Sequence, residues 1–369
     1  VQDCLTMALV KSLPFRLTGA QERAITEIAK DQTSESRMLR MLQGDVGSGK
    51  TLVALHAMLH AVESGAQASL LAPTEVLARQ HHATINAFLA PLGMEARLLL
   101  GQRRSGSAER RAIMDGLANG DVQLVVGTHA LLSESVSFAN LGLAVVDEQH
   151  RFGVRQRILL GQKGEGVDVI VMTATPIPRT LNMALGGLRD LSIIATPPAR
   201  RLSIKTFIRE HSIALIKEAV LRETLRGGQV FYLHNEVKTI DESARKLGEL
   251  LPELSIGVAH GQLREQALER VMSDFYHQHH HILVCSTIIE TGIDIPNANT
   301  IIIERADKFG LAQLHQLRGR VGRSTAKSSC LLVYQPPLSE TANKRLSVMR
   351  DTNDGFVIAE EDLNLRGPG

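Results

Sequence analysis

The chain reads as an α/β protein of two similar halves, each a mostly parallel sheet flanked by helices. Three observations carry that expectation. Short apolar runs alternate with amphipathic stretches along most of the length. A glycine-rich loop pattern sits between a strand-like and a helix-like segment near the start. The alternation breaks once, at TPPARRLS (196–203), where two prolines and two arginines intervene. The pattern predicts a first domain over 1–195, a linker over 196–204 and a second domain over 205–369. With 369 residues, 44% apolar and 22% charged, there is material for two packed cores.

The first half opens with Met38-Leu39-Arg40-Met41-Leu42, a short strand, and TLVALHAMLHAV (51–62), a helix. Between them GDVGSGKT, Gly44 to Thr51, fits GxxxxGK[ST] in the strand–loop–helix setting the pattern needs. The backbone of Gly44, Asp45, Val46, Gly47, Ser48 and Gly49 would wrap a phosphate, with the positive end of the helix behind it. Lys50 would reach the β- and γ-phosphates, and the Thr51 hydroxyl would hold Mg²⁺. A nucleoside triphosphate is the expected ligand. Further strand candidates come at ASLLAP (68–73), QLVVGT (123–128), LAVVDE (143–148) and VIVMTAT (169–175), with a helix from Glu75 to Leu89. LGLAVVDEQH ends in two adjacent acids: Asp147 is placed to bind the Mg²⁺ of Thr51, and Glu148 to polarise the attacking water.

The second half repeats the alternation without a phosphate loop: QVFYLH (229–234), SIGVAHG (255–261), HILVCST (281–287), TIIIER (300–305) and CLLVYQ (330–335). Nucleotide held between the halves is the economical arrangement. QLRGRVGR (316–323) sets Arg320 and Arg323 three apart, on one face if helical. They read either as arginine fingers for the γ-phosphate or as a basic face meeting solvent or nucleic-acid phosphate.

Other features bound the function. No apolar run reaches the length of a membrane span. Cys4, Cys285 and Cys330 lack CxxC spacing, which points to a reducing cytoplasm without a disulfide frame or zinc site. A net charge of +2 permits a nucleic-acid partner without requiring one. Aromatics at 3% with no tryptophan argue against base-stacking platforms. The histidines of YHQHHHILV (276–284) and the basic RLLLGQRRSGSAERR (97–111) read as solvated loops, the latter ending in a helix start.

In order, the chain shows GDVGSGKT, APTEVLARQH, VVGTHALL, DEQH, TATP, FYLHNEV, STIIETGID and QLRGRVGR. This set resembles that of superfamily 2 DNA helicases across essentially the whole chain, and DEQH resembles their DExH box. The resemblance implies two tandem RecA-like domains, ATP and Mg²⁺ as cofactors, and branched or duplex DNA as partner for a bacterial cytoplasmic monomer. It implies adenine contacts from Phe15 and Gln21, and coupling of hydrolysis to movement by Thr173 and Thr175. Gly292 and Asp294 would approach the nucleotide from the second domain, beside Gln316, Arg320 and Arg323. Pro73, Thr74, Thr128, His129 and Thr287 would touch the DNA backbone.

Two families share the resemblance. Residues 1–180 and 325–369 look like the RecG branch-migration helicases, and 180–324 like the transcription-repair coupling factors; both changes fall in segments the families share. That alternation suggests a recombinant. Beginning at Val1 and ending in RGPG, the chain reads as a motor fragment. RecG's wedge domain, the coupling factor's RNA polymerase-binding domain and the translocation motif would lie outside it. RNA polymerase is therefore not an expected partner, and translocation is expected to be poor.

Overall fold

The computed structural model describes residues 4–45, 47–101, 107–147, 163–164, 166–174, 190–194, 203–287, 295–322 and 326–366. They divide into two compact units, one holding residues up to 174 together with 190–194, the other everything from 203 onward.

The first unit runs α1 (Leu5–Ser12), α2 (Gly19–Gln32), β1 (Leu39–Gly44), α3 (Lys50–Glu63), β2 (Gln67–Leu71), α4 (Glu75–Leu89), β3 (Arg97–Leu99), α5 (Ser107–Asn119), β4 (Leu124–Gly127), β5 (Leu141–Asp147), β6 (Asp168–Thr173) and β7 (Asp190–Ile194). Its strands lie in the order β3-β4-β2-β5-β6-β1-β7, every pair parallel. Side chains alternate between the two faces. Val145 and Ile170 join Leu42, Val53 and Met58 in one core, while Val146 and Val171 join Leu99, Leu117 and Val125 in the other. Strands buried on both faces explain the unbroken apolar runs of the sequence. α2 starts with a reciprocal cap, in which Thr18 Oγ1 accepts the Gln21 N–H and Gln21 Oε1 accepts the Thr18 N–H.

The second unit runs β8 (Lys205–Glu210), α6 (Ile213–Leu225), β9 (Gln229–Leu233), α7 (Ile240–Leu250), β10 (Ile256–Ala259), α8 (Glu265–Tyr276), β11 (Ile282–Cys285), β12 (Ala298–Ile303), α9 (Leu311–Arg318), β13 (Ser329–Tyr334), α10 (Glu340–Asp351) and α11 (Gly355–Arg366). Its sheet, again parallel throughout, has the order β10-β11-β9-β12-β13-β8. Phe231 and Ile301 face one core, where Phe231 meets Phe275 edge-on with ring centroids 5.2 Å apart, and Tyr232 and Ile302 face the other.

Three strands are absent from the sequence candidates: β3, β7 and β8. All three are sheet edges. Outward faces of edge strands carry polar residues, as in KTFIRE of β8, so their apolar signal is weak. The basic segment 97–111 is thus corrected at its beginning, where Arg97–Leu99 is an edge strand paired with β4, while α5 from Ser107 is the helix start expected at its end. In the histidine run His277 and His279 are exposed, as expected, and only His280 and His281 are corrected. His280 Nδ1 lies 2.8 Å from Ser255 Oγ and His281 Nδ1 accepts the Ser255 N–H at 3.0 Å, so the two rings pin the entry to β10. Among the described residues no group of three or more His, Cys, Asp or Glu could hold a metal ion, and no helix is long and apolar enough to cross a membrane.

Candidate functional site

The predicted residues of the first unit gather along one edge of its sheet, the carboxyl ends of the strands. Register fixes their order. Asp147 on β5 stands opposite Met172 on β6, Met172 opposite Leu42 on β1, and Thr173 opposite Gln43, next to Gly44. Thr128 comes after β4, and Pro73 and Thr74 come after β2. Across the edge, then, stand Thr128, Thr74, Asp147, Thr173 and the Gly44 loop, on β4, β2, β5, β6 and β1. Carboxyl ends of parallel strands are where open α/β sheets bind ligands.

The loop from Gly44 to Thr51 owes its shape to glycine and to a glutamine outside it. Gly49 has φ +89° and caps α3; a Cβ there would lie 2.2 Å from Gln21 Nε2. That amide donates to Ser48 O at 2.8 Å, so α2 holds the loop from behind. Gly44 admits no side chain either, since a Cβ would come within 2.4 Å of Ser48 Oγ. The first N–H groups of α3 have no carbonyl one turn earlier to bond, which suits them to an anion. Lys50 Nζ donates to Gly44 O at 2.6 Å and Asp45 O at 3.0 Å, so its charge sits over the loop backbone.

These residues fit a Mg²⁺-triphosphate. Ser48 is 2% exposed and its Oγ has no hydrogen-bond partner among the described residues, a polar atom held ready inside the loop. Ammonium, hydroxyl and carboxylate are the donor set such a ligand needs. β6 alone separates β5 from β1, so the backbones of Asp147 and Leu42, two residues before Gly44, stand about 10 Å apart.

Asp147 has a partner that sequence reasoning missed. His81 Nε2 lies 2.7 Å from Asp147 Oδ2, and both side chains are 13% exposed. His81 is seven residues past the cap Thr74 on α4, two turns along the same face, but no local spacing ties it to Asp147, 66 residues on.

On the β2 and β4 side, Thr74 Oγ1 accepts the Leu77 N–H at 3.3 Å and caps α4. Its own O–H remains to donate outward. Thr128 is 3% exposed and caps a 3-10 turn, so this position presents His129, which is exposed, rather than the threonine side chain. Phe15 is 49% exposed. Gln21 is buried, its Oε1 and Nε2 bonded within the unit. Thr173 is buried at the end of β6.

In the second unit, Thr287 is half-buried just past β11, and Gln316 is half-buried on α9. α9 ends at Arg318, with Gly319 as its cap, so Arg320 does not continue a helical face. The chain turns there, and Gly322 adopts φ +81°. Arg320 is 1% exposed, which is no solvated basic face. Arg318 is equally buried but structural: its guanidinium donates to Met349 O at 2.5 Å, Thr352 O at 3.0 Å and Thr206 Oγ1 at 3.2 Å, gathering the carboxyl end of α10 onto β8. Val46, Glu148, Thr175, Gly292, Asp294 and Arg323 lie outside the described residues.

A second acid–histidine cluster, also unanticipated, stands at the carboxyl end of β12. Glu304 accepts from Tyr232 Oη at 2.5 Å and from His234 Nδ1 at 2.5 Å, with His211 Nε2 3.9 Å away. Burial alone would raise the Glu304 pKa, but the bonds from His234 and Tyr232 and the charges of His234 and His211 outweigh it and hold the carboxyl below the usual range. Burial and the adjacent Glu304 push the Tyr232 hydroxyl well up.

Comparison with known proteins agrees with this arrangement. The DEAD/DEAH box helicase model matches residues 18–184, and the helicase conserved C-terminal domain model matches 211–325. The chain is therefore a superfamily 2 helicase core, two parallel sheets matching tandem RecA-like domains. It is homologous over nearly its whole length to two families at once, the RecG helicases and the transcription-repair coupling factors. It is 51% identical over 363 residues to the transcription-repair-coupling factor of Haemophilus influenzae, covering 97% of this chain and 32% of that one. It is 45% identical over 381 residues to the ATP-dependent DNA helicase RecG of Escherichia coli K12, covering 100% of this chain and 55% of the relative. The chain thus spans a third to just over half of these relatives. The structure of RecG bound to a three-way DNA junction superposes with a TM-score of 0.88 at 43% identity, covering 98% of this chain and 48% of that one. Yeast Dbp5 bound to RNA and ADP BeF3 shares the fold, with a TM-score of 0.67 at 18% identity over 95% of this chain and 90% of Dbp5.

Proposed function

We propose that the chain is the motor of an ATP-dependent DNA helicase or translocase acting on branched or duplex DNA in recombination and repair. The observation that carries this reading is the single sheet edge on which nucleotide candidates on β5 and β1, with the coupling candidate Thr173 on β6 between them, adjoin nucleic-acid candidates on β4 and β2. The likeness to RecG bound to a DNA junction supports DNA over RNA.

In this reading the α3 N-terminus and Lys50 bind the phosphates, and Thr51 and Asp147 hold Mg²⁺. The ion, when bound, neutralises charge that develops on the phosphoryl oxygens. Glu148 polarises the attacking water, and Arg320 and Arg323, with Gln316, offset negative charge on the γ-phosphate from the second domain. Gly292 and Asp294 complete that side. Phe15 offers its exposed face to adenine, while Gln21 keeps one N–H and one lone pair beyond its bonds within the unit. Pro73, Thr74, His129 and Thr287 meet phosphates of the DNA, Thr128 positioning His129, and Thr173 and Thr175 couple hydrolysis to movement. The ATP-binding domain occupies 1–195, the linker 196–204 and the C-terminal domain 205–369 in this scheme. The coupling factor and RecG named above are from Haemophilus influenzae and Escherichia coli, which supports work in the bacterial cytoplasm.

The experiment is ATPase activity with duplex DNA, branched DNA or RNA, run beside displacement of a triplex-forming strand. DNA-stimulated hydrolysis with ATP-dependent triplex displacement is expected of a translocase. Hydrolysis stimulated by DNA without displacement would reduce the chain to a DNA-binding ATPase core, and stimulation by RNA alone would make it an RNA helicase. The recombinant origin is also proposed: segment by segment, 180–324 should score higher against coupling factors, and the flanks against RecG.

A further inference from the structure

We infer that His81 is a positioning residue that ties the nucleic-acid side of the first sheet edge to the carboxylate on its nucleotide side. The inference rests on the proposed role of Asp147 as a Mg²⁺ ligand and of Thr74 as a DNA contact. The edge changes character between β2 and β5, neighbouring strands in the sheet. Thr74, at the end of β2, is the cap of α4. His81, two turns into the same helix, reaches across to Asp147 at the end of β5. One rigid helix therefore carries both the group that meets DNA and the group that meets the carboxylate.

The chemistry of the pair is directional. A carboxylate only accepts, so His81 Nε2 carries the proton and donates it to Asp147 Oδ2 at 2.7 Å. Both side chains are 13% exposed, so water competes weakly for the bond. Spending Oδ2 on His81 fixes the carboxylate rotamer. This is the carboxylate–histidine pattern that orients metal ligands from behind, where loss of the outer partner costs about 10–100-fold in metal affinity. A shift of α4 on binding DNA would move the imidazole and with it the carboxylate. By reciprocity, DNA that tightens Mg²⁺ is tightened by Mg²⁺.

The test titrates Mg²⁺ into the protein with a fluorescent ATP analogue and reads the Mg²⁺ concentration at half-maximal response, with and without duplex DNA. His81→Leu and His81→Phe lack the donor and should raise that concentration about tenfold, within the range expected for loss of an outer partner. Binding of the analogue in EDTA should be unchanged. His81→Gln offers an amide N–H at similar reach and should stay within about threefold of the native protein. DNA should lower the half-point in the native chain and in His81→Gln, but not in the apolar variants. An unaltered half-point in whichever apolar variant folds overturns the inference, as does a DNA response that survives there. Asp147→Asn separates the two readings. If it leaves the Mg²⁺ dependence intact, the assignment of Asp147 has failed; if it removes the dependence while the His81 variants behave as native, only the inference has.

Discussion

The two units are built to one plan and differ at the carboxyl ends of two of their strands. Omitting β7, the orders β3-β4-β2-β5-β6-β1 and β10-β11-β9-β12-β13-β8 correspond strand for strand. The correspondence reaches single residues. Gln67 opens β2, its N–H donating to Asn140 O at 2.7 Å and its side chain to Leu117 O and Val122 O. Gln229 opens β9, its N–H donating to Asn297 O at 2.8 Å and its side chain to Phe275 O and His280 O. One residue beyond the last positions paired with β2 and with β9, Asp147 ends β5 and Glu304 comes after β12, so the two acids occupy equivalent places. There the plans part. β1 leads through the glycine loop into α3, whereas β8 passes through His211 and the cap Ser212 straight into α6. Among the described residues no glycine loop follows β8, and Glu304 spends its oxygens on Tyr232 and His234. A shared scaffold carries different chemistry through its strand-end loops alone.

The sharpest break in the comparison is chemical. Lys50→Ala should lower ATP turnover by on the order of 10³-fold or more, and Glu148→Gln should hydrolyse slowly while still binding nucleotide. Turnover and nucleotide affinity check both, and near-native turnover in Glu148→Gln would remove that residue from its role. Arg320 and Arg318 should separate next. Arg320→Ala is expected to cost roughly 10³-fold in turnover and to spare DNA affinity. If DNA affinity falls instead, with a salt slope shallower by about one, Arg320 is a phosphate contact. Arg318→Ala should destabilise the second unit by about 3 kcal/mol, measured by denaturant unfolding, because it leaves buried carbonyls unpaired.

Glycines provide a smaller contrast. Gly49→Ala strains φ and drives a Cβ against Gln21, so it should cost about 2–3 kcal/mol and weaken nucleotide binding. Gly227→Ala, at φ +83° with open space around it, should cost only about 1 kcal/mol and leave nucleotide binding alone. Glu304 tests the other acid. Its lowered folded pKa contributes stability that is complete above the ordinary glutamate value of 4.5 and lost as pH falls through the folded value. Thermal melts across that window should show this loss in the native chain and not in Glu304→Gln. Smallest of all, burial pushes the Cys285 and Cys330 thiols up, the latter to about 12, while Cys4 is exposed. A thiol reagent should therefore modify Cys4 quickly and the other two only on unfolding.

The parallel architecture was legible because strands buried on both faces leave continuous apolar runs, and α4 falls on the expected 75–89. Edge strands β3, β7 and β8 left little trace, since they are short or carry polar residues, as in RLL, DLSII and KTFIRE. The phosphate loop was legible from glycine positions that only its backbone explains. Its brace by Gln21 was not, because a hydrogen bond across 27 residues has no local pattern. His81–Asp147 and His234–Glu304 escaped for the same reason, being contacts made by strand order rather than spacing. Arg318 and Arg320 look alike in QLRGRVGR, and only the end of α9 and the position of α10 show that Arg318 is a structural anchor.

The central claim is that the first unit's loop drives a DNA-dependent reaction. Steady-state ATP hydrolysis by the 369-residue chain, with and without branched DNA and beside Lys50→Ala, measures that directly. Mg²⁺-dependent hydrolysis should rise when DNA is added, should not rise with RNA, and should disappear in Lys50→Ala. Hydrolysis indifferent to Lys50, or equal with and without DNA, would contradict the claim.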